Sequence, residues 1–172
     1  MTDAESNTAI TPFWRFSLKL YRQAGVSDAC IALQDGCGID VNLLLFLLWL
    51  ASESRQVSPE EVKKFDDQIR SWRELTIIPI RDTRRKLKGA ATPVDPGKQE
   101  AFRNKVKAVE LEAEQLQQEA LYGFTKSGPP GAQAVPKSAA RANIAAYERA
   151  TGRNFPKAAV DLLATAFDGV AA

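Results

Sequence analysis

Nine consecutive apolar residues, Leu43–Ala51 (LLLFLLWLA), constrain this chain more than any other feature. A helix carrying them has no polar face, so it must be covered on nearly every side. Crossing a bilayer takes ~20 apolar residues, about twice this run, which predicts a helix inside a bundle and no membrane span. Asp40 stands where an N-cap belongs, giving a helix over 41–54.

The flanking sequence supplies the cover. Pro12 suits the first turn of a helix running to Ala24, which Gly25 ends. Ser27 or Asp28 is expected to cap a second helix to Asp35, before Gly36-Cys37-Gly38 breaks the chain. Ser58-Pro59-Glu60-Glu61 has the form of a capping box. Val62, Phe65, Ile69, Trp72, Thr76, Ile80, Thr83 and Leu87 then step by three or four, predicting one helix kinked at Pro79 and stopped at Gly89. A linker over 89–98 leads to Asp95-Pro96 and a helix over 98–122 that Gly123 ends. Within it, Phe102, Val106, Val109, Ala113, Leu116 and Ala120 repeat at alternating steps of four and three. That seam is expected to pack inside the bundle, with a helical partner as the alternative. No alternating strand is evident, so the fold class is all-α, a compact helical bundle.

Thr125–Pro136 (TKSGPPGAQAVP) reads as a flexible connector. The alanine-rich helices beyond it, 137–151 and 156–167, hold too few large apolar residues for a core of their own. The expected organisation is a bundle core over 12–122, a Gly/Pro-rich linker over 123–136, and a short C-terminal helical appendage over 137–172, mobile or lightly docked. Truncation after Gly123 is then expected to leave a folded bundle.

The residue inventory excludes several chemistries. The 172 residues contain no histidine, which removes Ser-His-Asp triads, Cys-His dyads and His-ligated zinc. A net charge of +2 is too small for global steering toward nucleic acid. Cys30 and Cys37 lie seven apart in a helical stretch, ~10 Å along the axis, too far for a disulfide. Both fall on an apolar stripe with Val26 and Leu33, which predicts reduced, packed thiols. Met1–Thr11 lacks the basic start and apolar core of a signal peptide, so the expected address is cytoplasmic.

The run FWRFSLKLY, ACIALQD, DVNLLLFLLWLA, then Trp72 and PIRDTRRKLK, resembles a small bacterial all-helical family of unknown function over about residues 12–122. The resemblance implies a compact helical cytosolic domain and carries no activity, cofactor or catalytic residue.

Candidate binding residues fall in two places. Arg81, Arg84, Arg85 and Lys88 share one side of a helix, a stripe whose guanidinium forks suit phosphates or carboxylates. The competing reading is a solvated face near a helix C-terminus, where positive charge is favoured. Gln34, Asp35, Asp40 and Asn42 gather around the turn between the second and third helices. They cap helix ends there, or form a polar pocket in which Asp35 or Asp40 faces Arg81 or Arg84. Asp66-Asp67 faintly echoes an aspartate-rich magnesium motif, but Arg70 stands where the next carboxylate belongs, so an Asp66–Arg70 pair is expected and no metal site. Trp14, Trp49, Trp72, Phe13, Phe16, Tyr21 and Phe46 read as core aromatics, with Trp14 and Tyr21 able to line a groove.

No catalytic set and no cofactor motif emerges. The leading expectation is a non-catalytic protein-interaction or adaptor module, its partner meeting the 102–120 seam or the C-terminal helices. Nucleic-acid or phosphate-ligand binding through the basic stripe is the alternative, and a carboxylate/arginine enzyme the least favoured.

Overall fold

The computed structural model describes residues 10–171. The expectation of a chain start without an export leader falls mostly on residues outside this range. Helices α1 (Pro12–Tyr21), α2 (Val26–Cys37) and α3 (Val41–Ser52) lead into a two-residue strand, β1 (Arg55–Gln56). Next come α4 (Pro59–Trp72), a π-helical segment (Arg73–Ile77) and α5 (Ile78–Leu87), continuous along one rod, then α6 (Pro96–Gly123). Strand β2 (Ala132–Gln133) pairs antiparallel with β1, and α7 (Pro136–Thr151) and α8 (Lys157–Val170) close the chain. The fold is all-α, as the periodicity predicts. No described helix is long and apolar enough to cross a membrane.

Helix α3 is the axis of the molecule. Every residue from Asn42 to Ala51 is buried, as its apolarity requires. Phe46 packs edge-on against Phe13 of α1 and Phe65 of α4, with ring centroids 5.3 and 5.4 Å apart. Asp40 caps α3 by accepting from Leu43 N–H at 3.1 Å. Ser58 and Glu61 form the predicted capping box. Glu61 does more than cap: its other carboxylate oxygen accepts from Gly131 N–H at 3.0 Å, tying the connector to α4. Gly131 is required there, since a Cβ would sit 2.5 Å from the Gln56 carbonyl oxygen.

Three expectations are corrected. The cap of α2 is Gly25 in the left-handed region, φ 78°, not Ser27 or Asp28, and the helix continues through Gly36 to Cys37. Across Pro79 the helix is unbroken, but its phase shifts. Proline has no N–H to offer Leu75, and the preceding turn widens so that Ile78 N–H reaches Arg73 five residues back. The extra residue rotates the face that follows: Arg73, Ile77, Arg81 and Arg84 turn inward, while Trp72 and Leu75 are exposed.

The third correction concerns the expected appendage. Helix α7 lies along α3 and buries Ala139, Ala140, Ile144, Ala146 and Tyr147. Its small residues allow close helix approach, so burial is deep where hydrophobicity is modest. Asn143 is fully buried; it donates to the carbonyls of Leu47 (2.8 Å) and Arg55 (3.0 Å) and accepts from Val57 N–H at 2.9 Å. Helix α8 adds Leu163 and Phe167 to the same core. The segment packs into the core rather than docking lightly on it. Both cysteines are free, and burial pushes the Cys30 thiol pKa up to about 12.

Candidate functional site

Polar residues converge where the start of α3 meets α5 and α6. Asp40, besides capping α3, accepts from Arg73 at 3.1 Å and from Gln117 at 2.6 Å. Tyr147 of α7 reaches the same residue, its hydroxyl accepting from Asp40 N–H at 2.9 Å. Arg73 also holds Asp66 at 2.7 Å, and Arg70 holds Asp66 at 3.0 Å, the pair expected from sequence. Burial opposes ionisation of Asp66, but the hydrogen bonds from Arg73 and Arg70 prevail and hold its carboxyl below the ordinary range. A second chain starts at Ser17 of α1, whose hydroxyl donates to Gln118 at 2.9 Å; Gln118 donates in turn to Asn42 at 2.9 Å.

Two adjoining cavities open beside these networks. The first, about 550 Å³, lies between α1, α2, α3, α5 and α6. Its apolar wall is Trp14, Leu18, Tyr21, Ile31, Leu45 and Leu111, and its polar wall is Ser17, Gln34, Asn42 and Gln118. Arg81, Arg84, Arg85 and Lys107 supply positive charge, against Glu110 and Glu114. The second, about 540 Å³, shares Gln34, Val41, Asn42, Arg81 and Arg85 with the first and continues to the π-helical segment. π-Helical turns are frequent at functional sites because they re-aim side chains, and this one aims Arg81 into the groove.

Two acidic residues of α6 receive the arginines. Glu110 accepts from Arg81 at 3.0 Å and from both Nε and Nη2 of Arg84. Glu114 accepts from Arg81 at 2.7 Å. Although burial works against charge on Glu110, the hydrogen bonds from Arg84 and Arg81 hold its carboxyl below the ordinary value. At Glu114 burial dominates and its pKa is raised. The two carboxylates thus differ: one is committed to its arginines, the other sits nearer to protonation. Asn42 is only 7 % exposed and lines both cavities; its Oδ1 accepts from Gln118, while its Nδ2 has no acceptor among the described residues.

The sequence-predicted residues are largely brought together, with altered pairings. Arg85 pairs with Asp35 at 3.1 Å across the mouth, and Asp40 pairs with Arg73, not with Arg81 or Arg84. Lys88 lies at the C-cap of α5 and lines neither cavity. Trp14 and Tyr21 do line the groove, and Trp72 is partly exposed rather than core. The 102–120 seam is not the buried face of α6. Of the seam only Ala113 is buried; Phe102, Val109 and Leu116 are about half exposed, while the buried face is completed by Glu110, Gln117, Gln118 and Leu121. Glu110, Glu114, Gln117, Gln118, Ser17 and Arg73 are missing from the sequence reading. The spacing of Glu110, Glu114, Gln117 and Gln118 by three and four marks one polar helix face, a signal eclipsed by the apolar seam beside it.

No curated protein and no solved structure matches this chain. A family model described as a protein of unknown function (DUF2390) matches residues 12–121, a span holding α1 through nearly all of α6 and every lining residue of both cavities. With more than half its length matched, the chain belongs to that family of unknown function.

Proposed function

We propose that the groove binds a small organic anion with an apolar body, and that the protein is a non-catalytic binding module. The observation that carries this reading is Asn42: a residue only 7 % exposed whose Nδ2 has no acceptor among the described residues and opens onto the meeting point of two cavities edged by arginines. An amide N–H that faces a cavity with no side-chain acceptor is free to donate to a ligand oxygen. The acid group of the ligand meets Asn42, Arg84, Arg85 and Lys107; its body lies against Trp14, Leu18, Tyr21 and Leu111. A volume of about 550 Å³ falls in the range of small-molecule sites. The alternative of nucleic acid is less well supported, because a concave site of this size suits a small molecule better than a duplex. A protein-interaction role is favoured by a different observation, the apolar strip on the outside of α6.

The test uses 8-anilinonaphthalene-1-sulfonate, a sulfonate on an aromatic body, titrated against the full chain with Trp14 in the wall as one reporter. Saturable one-to-one binding is expected, weakened about tenfold by Lys107→Glu, which reverses a cavity cation that has no ion pair among the described residues. Leu111→Trp fills the groove and is expected to abolish binding. Affinity should rise as pH falls through the titration of Glu114, since protonation removes a negative charge that faces Arg81, Glu110 and Asp40. Binding indifferent to both substitutions would overturn the reading.

A further inference from the structure

The outer face of α6 carries charge and apolar residues in an order that fits its own inverse. Phe102, Val109 and Leu116 form a half-exposed apolar column, seven residues apart. Beside it, on the side away from the core, run Lys98, Lys105, Glu112 and Glu119, also seven apart. A seven-residue repeat drifts by only ~20° per step on a helix, so both columns stay adjacent along the exposed length. The charges read plus, plus, minus, minus. Among the described residues none of the four is in an ion pair within the chain. On the other side of the apolar column, Trp72 donates from its indole N–H to the Ala113 carbonyl at 2.9 Å, and Leu75, 78 % exposed, follows within a turn.

We propose that this face binds a second copy of the chain, with the two α6 helices antiparallel about a two-fold axis at Val109. In that register Val109 meets its own counterpart and Phe102 meets Leu116 of the second copy. Lys105 and Lys98 then come within one residue, ~1.5 Å, of the levels of Glu112 and Glu119, an offset their long side chains span, giving four attractive pairs in all with no like charges opposed. A parallel two-fold pairing would put the two charge columns on opposite sides of the interface, where they could not pair, so the column favours the antiparallel arrangement, in which it meets its own reversed copy. A two-fold interface must be self-complementary, and this column is. The inference is independent of the groove, whose lining does not include Phe102, Val109, Leu116, Lys98, Lys105, Glu112 or Glu119.

Sedimentation velocity of the full chain, over a range of micromolar concentrations, tests the proposal. A reversible dimer is expected, weakening with salt. Lys105→Glu and Glu112→Lys should each weaken association about tenfold, because each turns two attractive pairs into repulsive ones. The double reversal, K105E with E112K, should restore it. Val109→Asp should give a monomer with unchanged helicity and melting temperature, since Val109 is half exposed. A chain that stays monomeric at ~100 μM, well above the range of a specific dimer, would overturn the proposal. So would a dimer insensitive to V109D, or a double reversal no better than either single one.

Discussion

Helices α3 and α6 both bury residues in the centre of the molecule, yet they are built by opposite rules. Helix α3 is apolar and covered along its whole middle; its polar groups are confined to its two ends, at Asp40, Asn42 and Ser52. Helix α6 buries Glu110, Gln117 and Gln118 and exposes Phe102, Val109 and Leu116. Hydrophobic burial accounts for α3 almost entirely. It accounts poorly for α6, whose inner face is held by hydrogen bonds and ion pairs and whose outer face keeps apolar surface in water. Buried charge is weak evidence for stability. Such an arrangement makes sense where an inner face shapes a polar groove and an outer face meets a partner.

The largest effect should come from uncovering α3. Removing everything after Gly123 takes away Ala139, Ala140, Ile144, Ala146 and Tyr147 from its side, and Asn143 from the carbonyls of Leu47 and Arg55. A loss of more than ~5 kcal/mol is expected, comparable to the whole stability of a marginal domain. Thermal unfolding followed by circular dichroism should lose its cooperative transition. A truncated chain that still melts cooperatively would show that α3 tolerates an open side, and the contrast with α6 would weaken.

On α6 the corresponding break is Glu110→Ala. It leaves Arg81 and Arg84 partly buried without their main acceptor, and should cost about 3 kcal/mol. The pH dependence sharpens the same point. Hydrogen bonds from Arg84 and Arg81 hold the Glu110 carboxyl below its ordinary 4.5, so its contribution is fully present above that value and is lost as pH falls through the lower folded one. Asp66, lowered from 3.8 by Arg73 and Arg70 against the effect of burial, acts in the same direction. Acid denaturation of the native chain should therefore steepen below about pH 4, and Glu110→Gln should flatten that slope. An unchanged slope would mean that Glu110 is no tighter in the fold than in the unfolded chain.

What could be read from the sequence divides along the same line. Asp40, Ser58, Glu61 and Asp95 act as caps through contacts three residues away, and the apolar run of α3 dictates its own burial, so these are legible locally. The π-helical turn is not. Pro79 is visible, but a kink that preserves phase and a widened turn that shifts it by one residue read alike until Arg73, Arg81 and Arg84 find acceptors on α3, α4 and α6. Helix α7 is legible at 137–151, but its burial is not, because alanine signals little hydrophobicity while its small volume is what lets the helix lie against α3. The candidate site was half legible: Gln34, Asp35, Asn42, Arg81, Arg84 and Arg85 are identifiable as polar residues near helix ends. Their α6 partners lie 26 to 76 positions away in sequence, beside an apolar seam that reads as the inner face and is not.

The finest test of the contrast sets two neighbours on α6 against each other. Gln118 is fully engaged, accepting from Ser17 and donating to Asn42. Gln118→Leu leaves both of those partners short and should cost about 2 kcal/mol, the usual penalty for orphaned buried polar groups. Gln117 donates to Asp40, but its own Oε1 is buried with no partner. Gln117→Leu removes that orphan together with one hydrogen bond, while Asp40 keeps Arg73 and Leu43 N–H, so the net change should stay within about 1 kcal/mol. Chemical denaturation of the two variants side by side checks the difference. Equal losses would mean that the inner face of α6 behaves as uniform packing after all; a clear gap between them places its value in the Ser17–Gln118–Asn42 chain, the part that opens onto the groove.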